Sequence, residues 1–322
     1  MTPFGKFSAT VVAACILIAG VGCSGNSTKD DADTLTLGWV VDPSWAQVPV
    51  ANDLGYFKSR GVDVKVVPFP TGAAALEALN GGAVDVANGG DVPTSAAALK
   101  NPHLRVFADG AIWPDGRFVA RRSAGIDSIP SLAGRKIAVP LGSSAHYFAT
   151  KFLAESNVNA ELIQTGPAEI VTAIVNHDVD AIAVFQPSLT KAVQALGGDA
   201  ITLQGTQKYH QHSLYLANDT TLQAKKPAVG KFVSAIHDAD APLTDKKPEA
   251  LAAVAKAIGL EQNLINEVTS EFIYRTHLGP ELAADLADRA RWAQGIGRIP
   301  ANQVIPNYQS VIVDSFLGGA QP

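Results

Sequence analysis

The chain has 322 residues, 47% of them hydrophobic, with a formal charge of −5 and two cysteines. An acidic chain without a basic cluster is a poor nucleic-acid partner, and no cysteine follows Cys23, which excludes a disulfide or thiol-based metal site beyond that point. Roughly 300 residues suffice for one large core or two medium ones, and the alternation of apolar runs with helical patterns favours an α/β fold.

At the N-terminus Lys6 is the only charge before Lys29, and Val11 to Gly22 is an unbroken run of apolar and small residues. About a dozen such residues is too short to cross a bilayer and suits a signal-peptide core. Cys23 follows, then the polar stretch from Ser24 to Asp31, which reads as a flexible tether. This arrangement resembles a bacterial lipoprotein signal. It implies removal of 1–22, a lipid on Cys23, a tether over 23–33 and a place outside the cytoplasm on the cell membrane. The pattern departs at Gly20, where an aliphatic residue is usual; Cys15, after Val12-Ala13-Ala14, matches that box better but leaves a very short apolar core.

Thr34 to Val41 alternates as a first strand and ends at Asp42-Pro43-Ser44, where Asp42 or Ser44 can cap a helix through Val48, Val50 and Leu54. Gly61 turns the chain into a strand over Val62 to Phe69. A helix over Gly72 to Leu79 stops at Gly81-Gly82, and Val84 to Asn88 forms the next strand. Gly89-Gly90-Asp91-Val92-Pro93 turns into a helix over Thr94 to Leu99. Leu104 to Ala111 and Arg117 to Arg121 complete the first lobe and lead out of it.

From Ile129 the pattern begins again, with strand Lys136–Val139, helix Ala145–Glu155, strand Glu161–Gln164, helix Ala168–His177 and strand Asp180–Val184. The stretch from Leu76 through Val84-Asp85-Val86-Ala87 to Pro93 resembles that from Ile170 through Val179-Asp180-Ala181-Ile182 to Pro187. Two copies predict two lobes of similar build, with Asp85 and Asp180 pinning turns in each. Ser213 to Ala217 reads as a strand returning to the first lobe, and Pro227 to Leu317 as almost wholly helical. The expected division is lobe 1 over 34–118, lobe 2 over 119–211, and 212–322 as the rest of lobe 1 with C-terminal helices.

Gly142-Ser143-Ser144-Ala145-His146-Tyr147 stands where a strand runs into a helix. Unpaired N–H groups, the helix dipole and two hydroxyls make an anion receptor without a formal charge. The alternative is that Ser143 or Ser144 merely caps the helix, and His146 packs, caps or joins the site. His210 and His212 read as an exposed strand-edge pair rather than metal ligands. Trp113 begins a turn packed near the hinge, Arg117 is a candidate to point a charge into a cleft, and Asp285 and Asp288 read as a solvated face.

Ala51-Asn52-Asp53-Leu54-Gly55-Tyr56-Phe57, followed by Gly61-Val62-Asp63-Val64, resembles the opening of periplasmic binding proteins for sulfonates, taurine, nitrate and thiamine-pyrimidine precursors. Gly90-Asp91-Val92-Pro93 and Gly142 to Phe148 are closer to the sulfonate and taurine branch. The resemblance covers about 37–196. It implies the two-lobed, Venus-flytrap α/β fold of periplasmic binding proteins with a helical C-terminal part. The chain is then a monomeric, non-enzymatic carrier of a small sulfonate-type anion to the permease and ATPase subunits of an ABC importer, without cofactor or metal. It places the ligand between the lobes, against Asp42, Gly90, Asp91, Trp113, Gly142, Ser143, Ser144, His146, Phe185 and Gln186. Where the family usually has Trp-Asp-Pro, this chain has Phe185-Gln186-Pro187, so the carboxylate that an ammonium such as taurine's would want must come from Asp91 or Asp42; nitrate and a heterocyclic precursor are the alternative ligands. A thiamine-pyrimidine synthase uses its own cysteines and histidines; this chain has no cysteine after Cys23, which argues against that enzyme, and no GxSxG, HExxH or P-loop occurs.

Overall fold

A computed structural model describes residues 33–318 apart from Lys208, so the expected leader, Cys15, Cys23 and most of the tether lie outside the described residues. The strands are β1 (Thr34–Val40), β2 (Asp63–Phe69), β3 (Val86–Gly90), β4 (Leu104–Trp113), β5 (Phe118–Arg121), β6 (Lys136–Val139), β7 (Glu161–Gln164), β8 (Ala181–Ala183), β9 (Ala200–Leu203), β10 (Gln211–Asn218) and β11 (Ile273–His277). They form a six-stranded sheet in the order β11-β4-β10-β3-β1-β2 and a five-stranded sheet in the order β7-β6-β8-β5-β9.

The two sheets repeat one plan. β1 lies parallel between β2 and β3, and β6 lies parallel between β7 and β8. Each trio is then extended by one antiparallel strand that arrives from the other sheet, β10 beside β3 and β5 beside β8. The chain therefore crosses between sheets twice, through 114–117 and through 204–210. β1 alternates at its start, with Leu35 and Leu37 fully buried between half-buried Thr34 and Thr36, and is buried throughout from Leu37 to Val40.

The Val-Asp repeat performs the same task in both sheets. Asp85 accepts the Thr36 N–H at 2.8 Å, and Asp180 accepts the Lys136 N–H at 3.0 Å. In return each Asp donates its own N–H to the carbonyl of that residue. Each carboxylate thus satisfies an N–H one residue before the pairing to β3 or β8 begins, and each has a cation nearby, Lys225 at 3.0 Å and Arg121 at 3.5 Å.

Three expectations change. Arg117 to Arg121 does not finish the first sheet; β5 pairs with β8 and β9 in the second. The C-terminal part is not wholly helical, because Ile273–His277 pairs with β4, burying Tyr274 and Thr276 on alternate positions. His212 is not on an exposed edge: β10 lies between β3 and β4, and the His212 side chain is 1% exposed. C-terminal helices also reach the second sheet, since Leu251, Val254, Ile265 and Val268 share an apolar cluster with Val139 and Phe148. No helix among the described residues is long and apolar enough to cross a membrane.

Candidate functional site

In open α/β sheets, ligands bind beyond the carboxyl ends of the parallel strands. Here those ends carry Asp42 after β1, Gly90-Asp91 after β3, Gly142-Ser143-Ser144 after β6 and Phe185-Gln186 after β8.

Asp91 opens the Asp91–Lys100 helix and has no exposed surface. Its Oδ1 accepts from Ser144 Oγ at 2.7 Å, Tyr209 OH at 2.8 Å and Val92 N–H at 2.9 Å. Its Oδ2 accepts from Arg289 Nε and from Tyr209 OH, both at 2.9 Å. Three segments distant in sequence thus converge on one carboxylate, beside its own neighbour Val92. The Arg289 guanidinium lies over the faces of Tyr147 and Tyr209, at 4.4 and 5.3 Å from the ring centres.

The charges continue outward from Arg289. Its Nη1 reaches Asp285 at 3.2 Å, Asp285 meets His212 Nε2 at 3.1 Å, and His212 Nδ1 meets Asp109 at 2.6 Å. Burial works against the His212 cation, but Asp109 and Asp285 on its two ring nitrogens outweigh it and raise its pKa to about 10. Asp285 is therefore no solvated face; half-buried, it links two buried cations.

The turn after β6 is built differently. Gly142 sits at φ 86°, a left-handed conformation natural to glycine. The guanidinium of Arg298 stands against it, so a Cβ there would lie 3.0 Å from a guanidinium nitrogen. Ser143 caps the Ser144–Glu155 helix, accepting from Ala145 and His146 N–H at 3.2 and 3.4 Å while donating to Pro140 O at 2.6 Å. Ser144 spends its hydroxyl on Asp91, and His146 Nδ1 accepts the Gly142 N–H at 3.2 Å. Burial, aided by the charge of Arg298, lowers the His146 pKa to about 4, so this imidazole is neutral at physiological pH. The positive character of the turn comes from the helix start and Arg298.

Trp113 and Gln186 meet at Glu271. Its Oε2 accepts from Trp113 Nε1 at 3.0 Å and from Gln186 Nε2 at 2.8 Å, and Arg117 grips both carboxylate oxygens at 2.6 and 3.1 Å. Burial opposes the Glu271 charge, yet Arg117 and Gln186 prevail and hold its pKa below the usual range. Arg117 is committed to this pair, Trp113 is fully buried, and Gln186 is further tied to Thr190.

Asp42 accepts from the Ser44 N–H at 2.8 Å and Ser44 Oγ at 2.6 Å. No cation pairs with it among the described residues, and burial raises its pKa to about 6 against the Ser44 hydrogen bonds. Phe185 is half-buried against the second core. The structure thus joins Ser144 to Asp91, Gly142 and Ser143 to His146, and Trp113 to Gln186, while Asp42 and Phe185 share no hydrogen bond with these groups. A cavity of about 320 Å³ lies beside Arg289, lined by Tyr147, Lys151, Tyr209, His210, Asp285 and Asp288 among others; none of the ligand-contact residues expected from the sequence lines it. Among the described residues no group of three or more His, Cys, Asp or Glu is placed to hold a metal.

Tyr209, Glu271, Arg289 and Arg298 are the groups that sequence reasoning missed. Only Arg289 carried a local signal: it falls on the buried face of the Leu282–Gly295 helix with Leu282, Leu286, Ala290 and Ala293, and a lone arginine on an apolar stripe needs a partner.

Residues 42–250 match the profile described as NMT1/THI5 like. A putative aliphatic sulfonates-binding protein of Escherichia coli (strain K12) is 27% identical over 203 residues, 62% of this chain and 63% of that protein. The taurine-binding periplasmic protein of the same organism is 23% identical over 307 residues, 89% of this chain and 93% of that protein. Among solved structures, the alkanesulfonate-binding protein SsuA from Xanthomonas axonopodis pv. citri, bound to MOPS, superposes with a TM-score of 0.73 at 20% identity, covering 88% of this chain and 99% of that one. The shared fold is the two-lobed fold of periplasmic binding proteins.

Proposed function

The chain belongs to the NMT1/THI5-like family, and from that premise we propose that it is an extracytoplasmic solute-binding protein. It captures a small sulfonate-type anion between its two lobes and delivers it to the permease and ATPase subunits of an ABC importer. The names of the sulfonate- and taurine-binding relatives support the transport role and the ligand class. The protein acts as a monomer, loses residues 1–22 and is held at the membrane by a lipid on Cys23.

The observation that carries the ligand reading is Arg298 against Gly142 at the start of the Ser144–Glu155 helix. A sulfonate brings three oxygens and one diffuse negative charge. The Ser144 N–H, at the first helical position, has no partner within the helix, and the dipole contributes on the order of 0.3–1 kcal/mol there. Arg298 adds charge-assisted hydrogen bonds, roughly twice as strong as neutral ones. Neutral His146 and the engaged hydroxyls of Ser143 and Ser144 orient this turn rather than charge it. A few such contacts, less the cost of association, suit roughly micromolar affinity.

Thermal shift with taurine, methanesulfonate, sulfate, nitrate and an aminopyrimidine tests this. A sulfonate at about 100 times Kd should stabilise the protein by roughly 2.7 kcal/mol. Arg298→Gln should weaken that binding about tenfold. A shift with the aminopyrimidine alone, or with none of the panel, removes the sulfonate reading. Cys23→Ser should release the protein from the membrane fraction, and an unchanged distribution would remove the anchor.

A further inference from the structure

We propose that Asp91 is a built-in oxyanion whose carboxylate fills a receptor formed by Ser144, Tyr209 and Arg289 and so latches the two lobes together before any solute arrives.

The donors are a hydroxyl, a phenol and a guanidinium, all buried, converging on the two oxygens of one carboxylate. The same donor types would select any small oxyanion. What distinguishes this receptor is the origin of its parts. Asp91 begins the helix that follows β3 of the first sheet, and Ser144 begins the helix that follows β6 of the second. Tyr209 belongs to the crossover between β9 and β10, and Arg289 to the Leu282–Gly295 helix. Moving one lobe away from the other separates Ser144 from Asp91 and leaves that carboxylate short of a donor.

The environment raises the cost of opening. Buried charges separated from part of their hydrogen-bond set are strongly penalised, and water must enter to replace the lost donors. The fit is close: a Cβ on Gly90, just before Asp91, would lie 3.1 Å from Ser144 Oγ. The latch requires no external ligand, so it governs the solute-free protein. An incoming anion is read elsewhere, because the donors around Asp91 are already committed. This inference needs only the two-lobed fold and stands whether or not the solute is a sulfonate.

Hydrogen–deuterium exchange on the full chain without solute tests it. Asp91→Asn keeps the shape and removes the charge. Tyr209→Phe keeps the ring over Arg289 but deletes both hydrogen bonds to Asp91. Each variant should raise exchange in the segments at 89–94, 143–148 and 207–213 by about tenfold or more beyond any rise in β1 and β6. Addition of formate to Asp91→Ala should restore protection to those segments by supplying the missing carboxylate. Unchanged exchange there in a folded variant would overturn the latch. So would a rise spread equally through β1 and β6, which marks general loss of stability. If Asp91→Asn fails to fold, Tyr209→Phe decides by the same criteria.

Discussion

Two helices start beyond the carboxyl ends of parallel strands, one after β3 in the first sheet and one after β6 in the second, and their first turns are electrostatic opposites. The Asp91–Lys100 helix carries its own anion in its first turn and surrounds it with Arg289, Tyr209 and Ser144. The Ser144–Glu155 helix carries a hydroxyl and a neutral imidazole in its first turn and no acid, and Arg298 stands against the turn that precedes it. One helix start thus supplies its own counter-charge, and the other is left complementary to an anion from outside. A strand that runs into a helix does not by itself fix function; the residue at the helix start does.

The contrast is most directly broken at Asp91. Asp91→Ala should cost roughly 3–5 kcal/mol in denaturant unfolding, because it leaves Arg289 buried without its main partner. A loss under about 1 kcal/mol would mean that this helix start is not saturated by its own acid.

The next test concerns the charges behind Arg289. His212 has a folded pKa of about 10, above the unfolded value of about 6.5, so the folded state holds this proton more tightly. Its stabilisation is complete below pH 6.5 and is lost as pH rises through 10. Unfolding free energy should therefore fall by several kcal/mol between pH 7 and 10, and His212→Gln should flatten that part of the profile.

Asp42 sharpens the comparison, being a buried carboxylate without a cation. Its folded pKa of about 6 lies above the unfolded value, so its charge opposes folding above that pH. Asp42→Asn, which retains the acceptor for Ser44, should stabilise the protein by on the order of 1–3 kcal/mol at pH 7.5 and by little near pH 4. Stabilisation here beside destabilisation at Asp91 would separate the two acids by pairing alone. The smallest effect on stability belongs to Arg298→Gln. At an exposed residue it should change unfolding by within about 0.5 kcal/mol while weakening ligand binding about tenfold, as calorimetry would read.

The sequence made local grammar legible and long-range partners not. Lys136–Val139 and Glu161–Gln164 form strands where periodicity placed them, and the Ser144 helix starts one residue before its expected position. The Val-Asp repeat was readable because it solves the same local problem twice. By contrast Arg289 meets Asp91 across 198 positions, and no periodicity reports such a pairing. β11 escaped because five alternating residues between helices are too few to outweigh the helical pattern around them. Ser143 and Ser144 were recognised as hydroxyls at a helix start; which of them caps and which faces the other lobe depends on Asp91, which lies on the first sheet's side.

Gln186 has a consequence for descent. The resemblance to periplasmic binding proteins implies an acid there, but in this chain the amide donates to Glu271, which Arg117 already neutralises. An aspartate at 186 would set two carboxylates against one arginine and a tryptophan N–H. Positions 186 and 271 should therefore drift as a couple: lineages with an acid at the first should carry a neutral residue at the second, and a survey that scored either column alone would misjudge the charge that the lineage has kept.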